Sequence, residues 1–209
     1  MRKRSIVALA LLVAPLAPVL AGGPDKFASI DPGEITFRNG VRLHPEPGID
    51  PALFATRPGV ALVQLPGPVE AATRERLISL GLVLHDYVDH FTYIASVPPK
   101  SWEGLSAIAA EGAVRAVVPY PADARIDRAL RSDSSIEQQV DVVLLREPTQ
   151  AERAALAGLV RIEQEPHGAL HFVRGSTSSD RIDEIAALEP VLWIGRFVPG
   201  RSQNIEAGV

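Results

Sequence analysis

The chain has 209 residues, 46% of them hydrophobic, and a formal charge of −4, enough to bury one large core or two small ones. It contains no cysteine, which excludes disulfides and thiolate metal sites. No run of lysine or arginine occurs beyond Arg2-Lys3-Arg4, so the basic patch of a nucleic-acid binder is missing too.

In chain order, Met1–Ala21 reads as a secretory signal peptide. Arg2, Lys3 and Arg4 precede an apolar run, Ser5–Val19, and Val19-Leu20-Ala21 offers small residues for cleavage. Pro15 and Pro18 break that run, which is shorter than the roughly 20 residues a membrane span needs. The expectation is a secreted or periplasmic protein. Residues 22–59, rich in Pro and Gly, form an N-terminal arm with one short hairpin, Ile35–Leu43, around Asn39-Gly40.

A first unit spans residues 60–120. Val60–Leu65 is β-branched and aliphatic and suits a buried strand. Pro68 opens a helix that Gly81 closes. Leu82–Asp86 and Thr92–Val97 read as strands joined by the turn Tyr87–Phe91. Ser101 caps a helix through Glu111, with Trp102, Leu105, Ile108 and Ala109 facing a core. Val114–Val118 is the closing strand. Residues 121–138 are polar and read as a linker. A second unit, residues 139–198, repeats the order: Val140–Leu145, a helix opened by the capping box Thr149/Glu152 and closed by Gly158, strands Val160–Glu163 and Ala169–Val173, a helix capped by Ser179 or Asp180, and Leu192–Phe197. Residues 199–209 form a tail.

The repetition is direct. Shifted by 77 residues, Gly81–Tyr120 lies on Gly158–Phe197 without a gap, pairing His90 with His167. Upstream the shift becomes 80, and Val60–Leu65 meets Val140–Leu145. The order β-α-β-β-α-β predicts an α+β fold of two tandem ferredoxin-like domains. Each is a four-stranded antiparallel sheet with two right-handed crossover helices on one face.

Chemistry is sparse. There is no Gly-x-Ser-x-Gly elbow, no cysteine nucleophile and no phosphate loop. His167-Gly168 is matched by His90-Phe91 in the corresponding turn, which makes both turn residues rather than triad members. His85 with His90, and His167 with His171, lack carboxylates at metal-ligand spacing. No catalytic residue, metal or cofactor is expected. What stands out is the sheets: Val142–Leu145 and Val191–Ile194 place apolar side chains on both faces. Helices cover only one face of an open antiparallel sheet. The other should meet the sister domain, the arm or another protein, and an exposed apolar face is a binding signal.

The run Val63-Gln64-Leu65-Pro66-Gly67-Pro68, then Gly81–Tyr87, then Val117-Val118-Pro119-Tyr120, resembles the propeptide region of exported subtilisin-like serine proteases. The second unit, closing on Trp193-Ile194-Gly195-Arg196-Phe197, resembles a further copy. The resemblance covers roughly residues 35–204. It implies a protease inhibitor and folding chaperone that lays its sheet face on the enzyme and places a C-terminal segment in the cleft. The contact residues it implies are Tyr87, His90, Tyr120, Trp193, Phe197, Asn204, Ile205 and Val209. No Asp, His or Ser motif of the catalytic domain follows within these 209 residues. The expectation is therefore a non-catalytic inhibitor acting on a subtilisin-like protease in trans, or the N-terminal part of a protease precursor. The rival is an extracytoplasmic module of paired domains that binds a small ligand. A hydrolase using His90 or His167 is a third reading.

Overall fold

A computed structural model describes residues 33–131, 137–165 and 171–197. The leader, His167 and the tail residues Asn204, Ile205 and Val209 lie outside the described residues. In the arm, Asn39-Gly40 reverses the chain, Gly40 taking φ +85° while Phe37 N donates to Val41 O at 2.8 Å. Only glycine enters that region without strain. The turn joins β1 (Ile35–Thr36) to β2 (Arg42–Leu43) in the expected antiparallel hairpin. The arm also holds two elements the Pro-rich composition concealed: β3 (Gly48–Ile49) and helix α1 (Pro51–Thr56). Pro51 stands at the first helical position and the Asp50 carboxylate caps Ala52 N.

The first unit follows as β4 (Val60–Gln64), α2 (Ala71–Ser79), β5 (Val83–Tyr87), β6 (Thr92–Ser96), α3 (Trp102–Ala110) and β7 (Ala116–Val118). Its sheet runs β3-β7-β4-β6-β5, antiparallel except that β3 joins β7 in parallel. It therefore has five strands, not the four antiparallel ones expected, because the arm adds one to the open edge of β7. Leu77 of α2 and Trp102, Leu105 and Ile108 of α3 pack on Ala61, Val63 and Ala95 to make one core. Helix α2 begins three residues after Pro68, and Ser101 does not cap α3; its hydroxyl donates to Leu80 O instead.

The second unit comprises β8 (Gln138–Leu144), α4 (Gln150–Leu159), β9 (Arg161–Gln164), β10 (Phe172–Thr177), α5 (Ile182–Ala187) and β11 (Val191–Arg196). Its sheet has four strands, all antiparallel, in the order β11-β8-β10-β9. The capping box forms, with Thr149 and Glu152 exchanging bonds. Gly158 does not end α4, which runs one residue further. A second core holds Val140, Val142, Leu144, Leu156, Ile185 and Ile194.

The stretch expected to be a linker is built into this second core. A 3-10 turn over Ala122–Arg125 leads to Ile126, which bridges in parallel to Ile194, and a further turn buries Leu130. Arg125 is 7% exposed and gathers carbonyls: its guanidinium donates to Tyr120 O at 2.9 Å, Val191 O at 3.1 Å, Leu188 O at 3.1 Å and Ala186 O at 3.2 Å. Four carbonyl partners on two chain segments take up the terminal nitrogens of a buried cation that would otherwise be costly, leaving Nε alone without a partner among the described residues.

Candidate functional site

The apolar helix-free face expected from Val142–Leu145 and Val191–Ile194 has Asp141 and Arg174 at its centre, and the fully apolar one belongs to the first sheet, where the chain itself covers it. Val60, Leu62, Ile94 and Val118 project away from the helices into a third core closed by Ile35 and Phe37 of the hairpin, with Tyr120 and Ala124. Leu145 and Leu192 of the second unit pack at its margin. Thr36 N donates to Asp89 Oδ2 at 3.2 Å, pinning the hairpin to the β5–β6 turn.

Tyr120 is consequently no contact residue. Its ring is 7% exposed, stacks on Phe37 at 6.0 Å, lies under the Arg125 guanidinium at 4.5 Å and donates its hydroxyl to Leu192 O at 2.9 Å. Burial raises its pKa to about 12, against the opposing pull of Arg125.

Tyr87 and His90 sit at the far margin of the first sheet. Tyr87 is half-exposed and meets Tyr93 edge-on at 5.5 Å. His90 and Phe91 both adopt left-handed backbone, φ +42° and +58°, which bulky residues rarely do. His90 Nδ1 stands 3.0 Å from Asp89 Oδ2 without hydrogen-bond geometry. His85 Nε2 shares a bond with Ser96 Oγ, and burial lowers its pKa. Neither histidine contacts a serine and a carboxylate together in a triad arrangement.

The helix-free face of the second sheet is covered less completely: Trp193, Val143, Phe172 and Arg174 are partly exposed, while Asp141 and Ser176 are buried. Register places three rows across it. Trp193, Val143 and Phe172 form the first, and Gly195, Asp141 and Arg174 the second. Gln139, Ser176 and Arg161 form the third. Arg174 clamps Asp141 through two bonds, Nε to Oδ1 at 2.6 Å and the second terminal nitrogen to Oδ2 at 3.0 Å. Those bonds raise the Arg174 pKa. The guanidinium also lies 3.9 Å from the Phe197 ring and 5.7 Å from Phe172. Trp193 rests beside Gly195, where a Cβ would stand 3.3 Å from the indole nitrogen, and Arg38 of the hairpin lies 5.6 Å from its centroid. Arg161 pairs with Glu137 at 3.0 Å. Trp193 and Phe197, two expected contact residues, thus share this face with Phe172 and Arg174, which no motif flagged.

The same register explains the difference between the sheets. Leu62 pairs with Val118 and Ile94, and Asp141 pairs with Gly195 and Arg174. An apolar row under the hairpin in the first unit is an ion pair in the second. One shallow depression of about 230 Å³ lies at the hairpin tip, between Asn39 and Val41 and the pair Arg128 and Arg131. Arg131 is already neutralised there by Asp123 at 2.8 Å and Asp183 at 3.0 Å.

A family model described as a domain of unknown function, DUF8729, matches residues 28–121. The matched span takes in the hairpin together with the first unit and stops before the second. The description assigns no activity and makes no link to protease propeptides. No curated protein and no solved structure matches the chain.

Proposed function

We propose that the chain is an exported, non-catalytic binding protein of two tandem ferredoxin-like units, and that its working surface is the helix-free face of the second sheet. The observation that carries this reading is the contrast between equivalent rows. Val118, Leu62 and Ile94 are sealed under the protein's own hairpin, whereas in the second unit Asp141 is buried beneath an Arg174 side chain that stays 26% exposed, with the Phe197 ring on its guanidinium. Both units share one strand order, fourth-first-third-second, with β3 a later addition to the first. The first unit then serves as scaffold and the second presents the ligand-binding module.

The partner implied by the propeptide resemblance is a subtilisin-like protease, bound in trans. One geometric feature favours this second reading: β11 ends at Arg196, and Phe197, the next residue, lays its ring against Arg174 on that face.

The experiment is a titration of the purified protein into an exported subtilisin-type protease, followed by peptide hydrolysis. Inhibition that weakens on deleting residues 202–209, and again with Trp193→Ala, supports the protease reading at this face. Inhibition indifferent to Trp193→Ala and Phe172→Ala places the working surface elsewhere and overturns the assignment. No inhibition and no complex on a sizing column removes the protease and leaves the ligand-binding module.

A further inference from the structure

We propose that the helix-free face of the second sheet binds a neutral linear oligosaccharide. This rests on the reading of that face as the working surface. Four strands about 4.8 Å apart, and three rows of side chains about 7 Å apart, give an area of roughly 300 Å². Stable protein complexes bury about 800 Å² on each partner. The face is small for a protein and suited to three or four sugar rings.

Its composition runs the same way. Protein interfaces concentrate apolar groups at the centre and polar ones at the rim. Here the order is inverted: the Asp141–Arg174 clamp occupies the middle row, with Trp193, Val143 and Phe172 on one side and Phe197 beyond the other. The buried Asp141 carboxylate locks the guanidinium in one plane, and with Nη1 donating once to Gln164 Oε1 at 3.5 Å, one N–H of each terminal Arg174 nitrogen remains for a ligand. Adjacent hydroxyls of a pyranose take such paired bonds, while the C–H face of the ring stacks on an indole. Trp193 supplies that platform. Gly195 lets the indole settle beside the sheet, and Gln139 and Gln164 border the clamp with further planar amides.

Charge argues for a neutral ligand. Arg174 is matched by Asp141, and Arg161 by Glu137 and Glu163. Within the three rows each described arginine is matched, so a phosphate polymer finds little counter-charge there. Arg38 lies over the platform, 5.6 Å from the ring centroid. A sugar stacking on Trp193 displaces it, so Arg38 competes with the ligand.

The test is titration of the purified full-length protein with chitotetraose, cellotetraose and maltotetraose up to about 10 mM, the weak end of single-site affinities, read by tryptophan fluorescence and calorimetry. Trp102 is fully buried in the first core, so the fluorescence change reports Trp193. Saturable binding of at least one tetrasaccharide is expected. Trp193→Ala and Asp141→Asn should each weaken it tenfold or more with the circular dichroism spectrum unchanged, roughly tenfold being the scale of one lost charged bond. Arg38→Ala should tighten it roughly two- to fivefold, the strength of one exposed cation–π contact. No response to any tetrasaccharide overturns the ligand class. If a protease complex then perturbs Trp193 where the sugars do not, the face stands and the sugar fails. If a complex forms and leaves Trp193 untouched, the reading of the face fails as well.

Discussion

Arg125 shows how one residue ties the two units together. Its guanidinium links the carbonyl of Tyr120, at the end of the first unit, to three carbonyls around α5 and β11. Arg125→Ala leaves those carbonyls short of donors and should cost roughly 2–4 kcal/mol in urea denaturation. Arg125→Lys should recover little of this, because an ammonium cannot reach a fan of carbonyls as a planar fork does. Tyr120 beside it makes the molecule sensitive to alkali. Its folded pKa of about 12 lies above the ordinary 10.0, so between those values the unfolded chain releases a proton that the folded one keeps. Stability should be unaffected below pH 10 and fall as pH rises toward 12. Tyr120→Phe should flatten that slope while costing about 1 kcal/mol for the bond to Leu192 O. None of this was legible in the sequence. Arg125 lies in a polar stretch that reads as linker, and Tyr120 is a contact residue by the resemblance, because burial there is created by chain segments more than fifty residues away.

Among elements, some that follow from local pattern formed as expected, while Pro68, Ser101 and Gly158 did not bound their helices as local pattern suggests, and elements created by pairing did not announce themselves. The capping box, the Asn39-Gly40 hairpin and the closures at Gly81 and Gly112, both with positive φ, follow from short-range chemistry. Strand β3 is two residues long and exists only through β7, so no periodicity could reveal it. The repeat is visible, but the shift of 77 fails at the third strands, where Ile94 opposite Leu62 answers to Arg174 opposite Asp141, 80 residues on, and the upstream shift is wrong by one. Val63 pairs with Val117, and Val142 with Ile194, which makes the shift 79 rather than 80. One residue in a strand exchanges the two faces. The shift of 80 set Val60 on Val140, one facing the hairpin and the other the helices.

Two predictions belong at this scale. A Cβ on Gly175 would stand 2.3 Å from Arg161 O and 2.7 Å from a Val160 methyl. Gly175→Ala should therefore force β9 from β10 and cost roughly 1–3 kcal/mol by denaturant midpoint. Glu152 is held at about pKa 2, first by its bond from Arg146 and then by Thr149. A folded value below the ordinary 4.5 means the carboxylate stabilises α4 above that pH and is lost as pH falls through 2. Glu152→Gln should remove that acid slope and cost about 1 kcal/mol at neutral pH, the worth of a cap.

At the scale of the whole molecule, two units of one strand order have been put to opposite uses. The first spends its open sheet face on its own hairpin, and the family match covers that combination as one span. The second keeps the face and lines its centre with an ion pair, which tolerates water where Leu62 and Ile94 would not. Residue types alone suggest an apolar face on Val142–Leu145 and Val191–Ile194 in search of a partner. The distinction lies in which residues stand opposite one another, and register decides that. Deleting the hairpin should uncover Val60, Leu62, Ile94 and Val118, with dye binding and self-association as the readout. The most direct measurement uses the absence of native cysteine. Val143→Cys and Ile94→Cys would each carry a single thiol, on the second and first helix-free faces respectively, and maleimide labelling of the native protein would compare them. The account predicts that the Val143→Cys thiol, partly exposed between Trp193 and Phe172, reacts in the native protein without waiting for local opening. The Ile94→Cys thiol should be slower by on the order of a thousandfold, since it waits for local opening. Equal protection of both thiols, or the reverse order, would contradict the claim that the second sheet presents the open working surface.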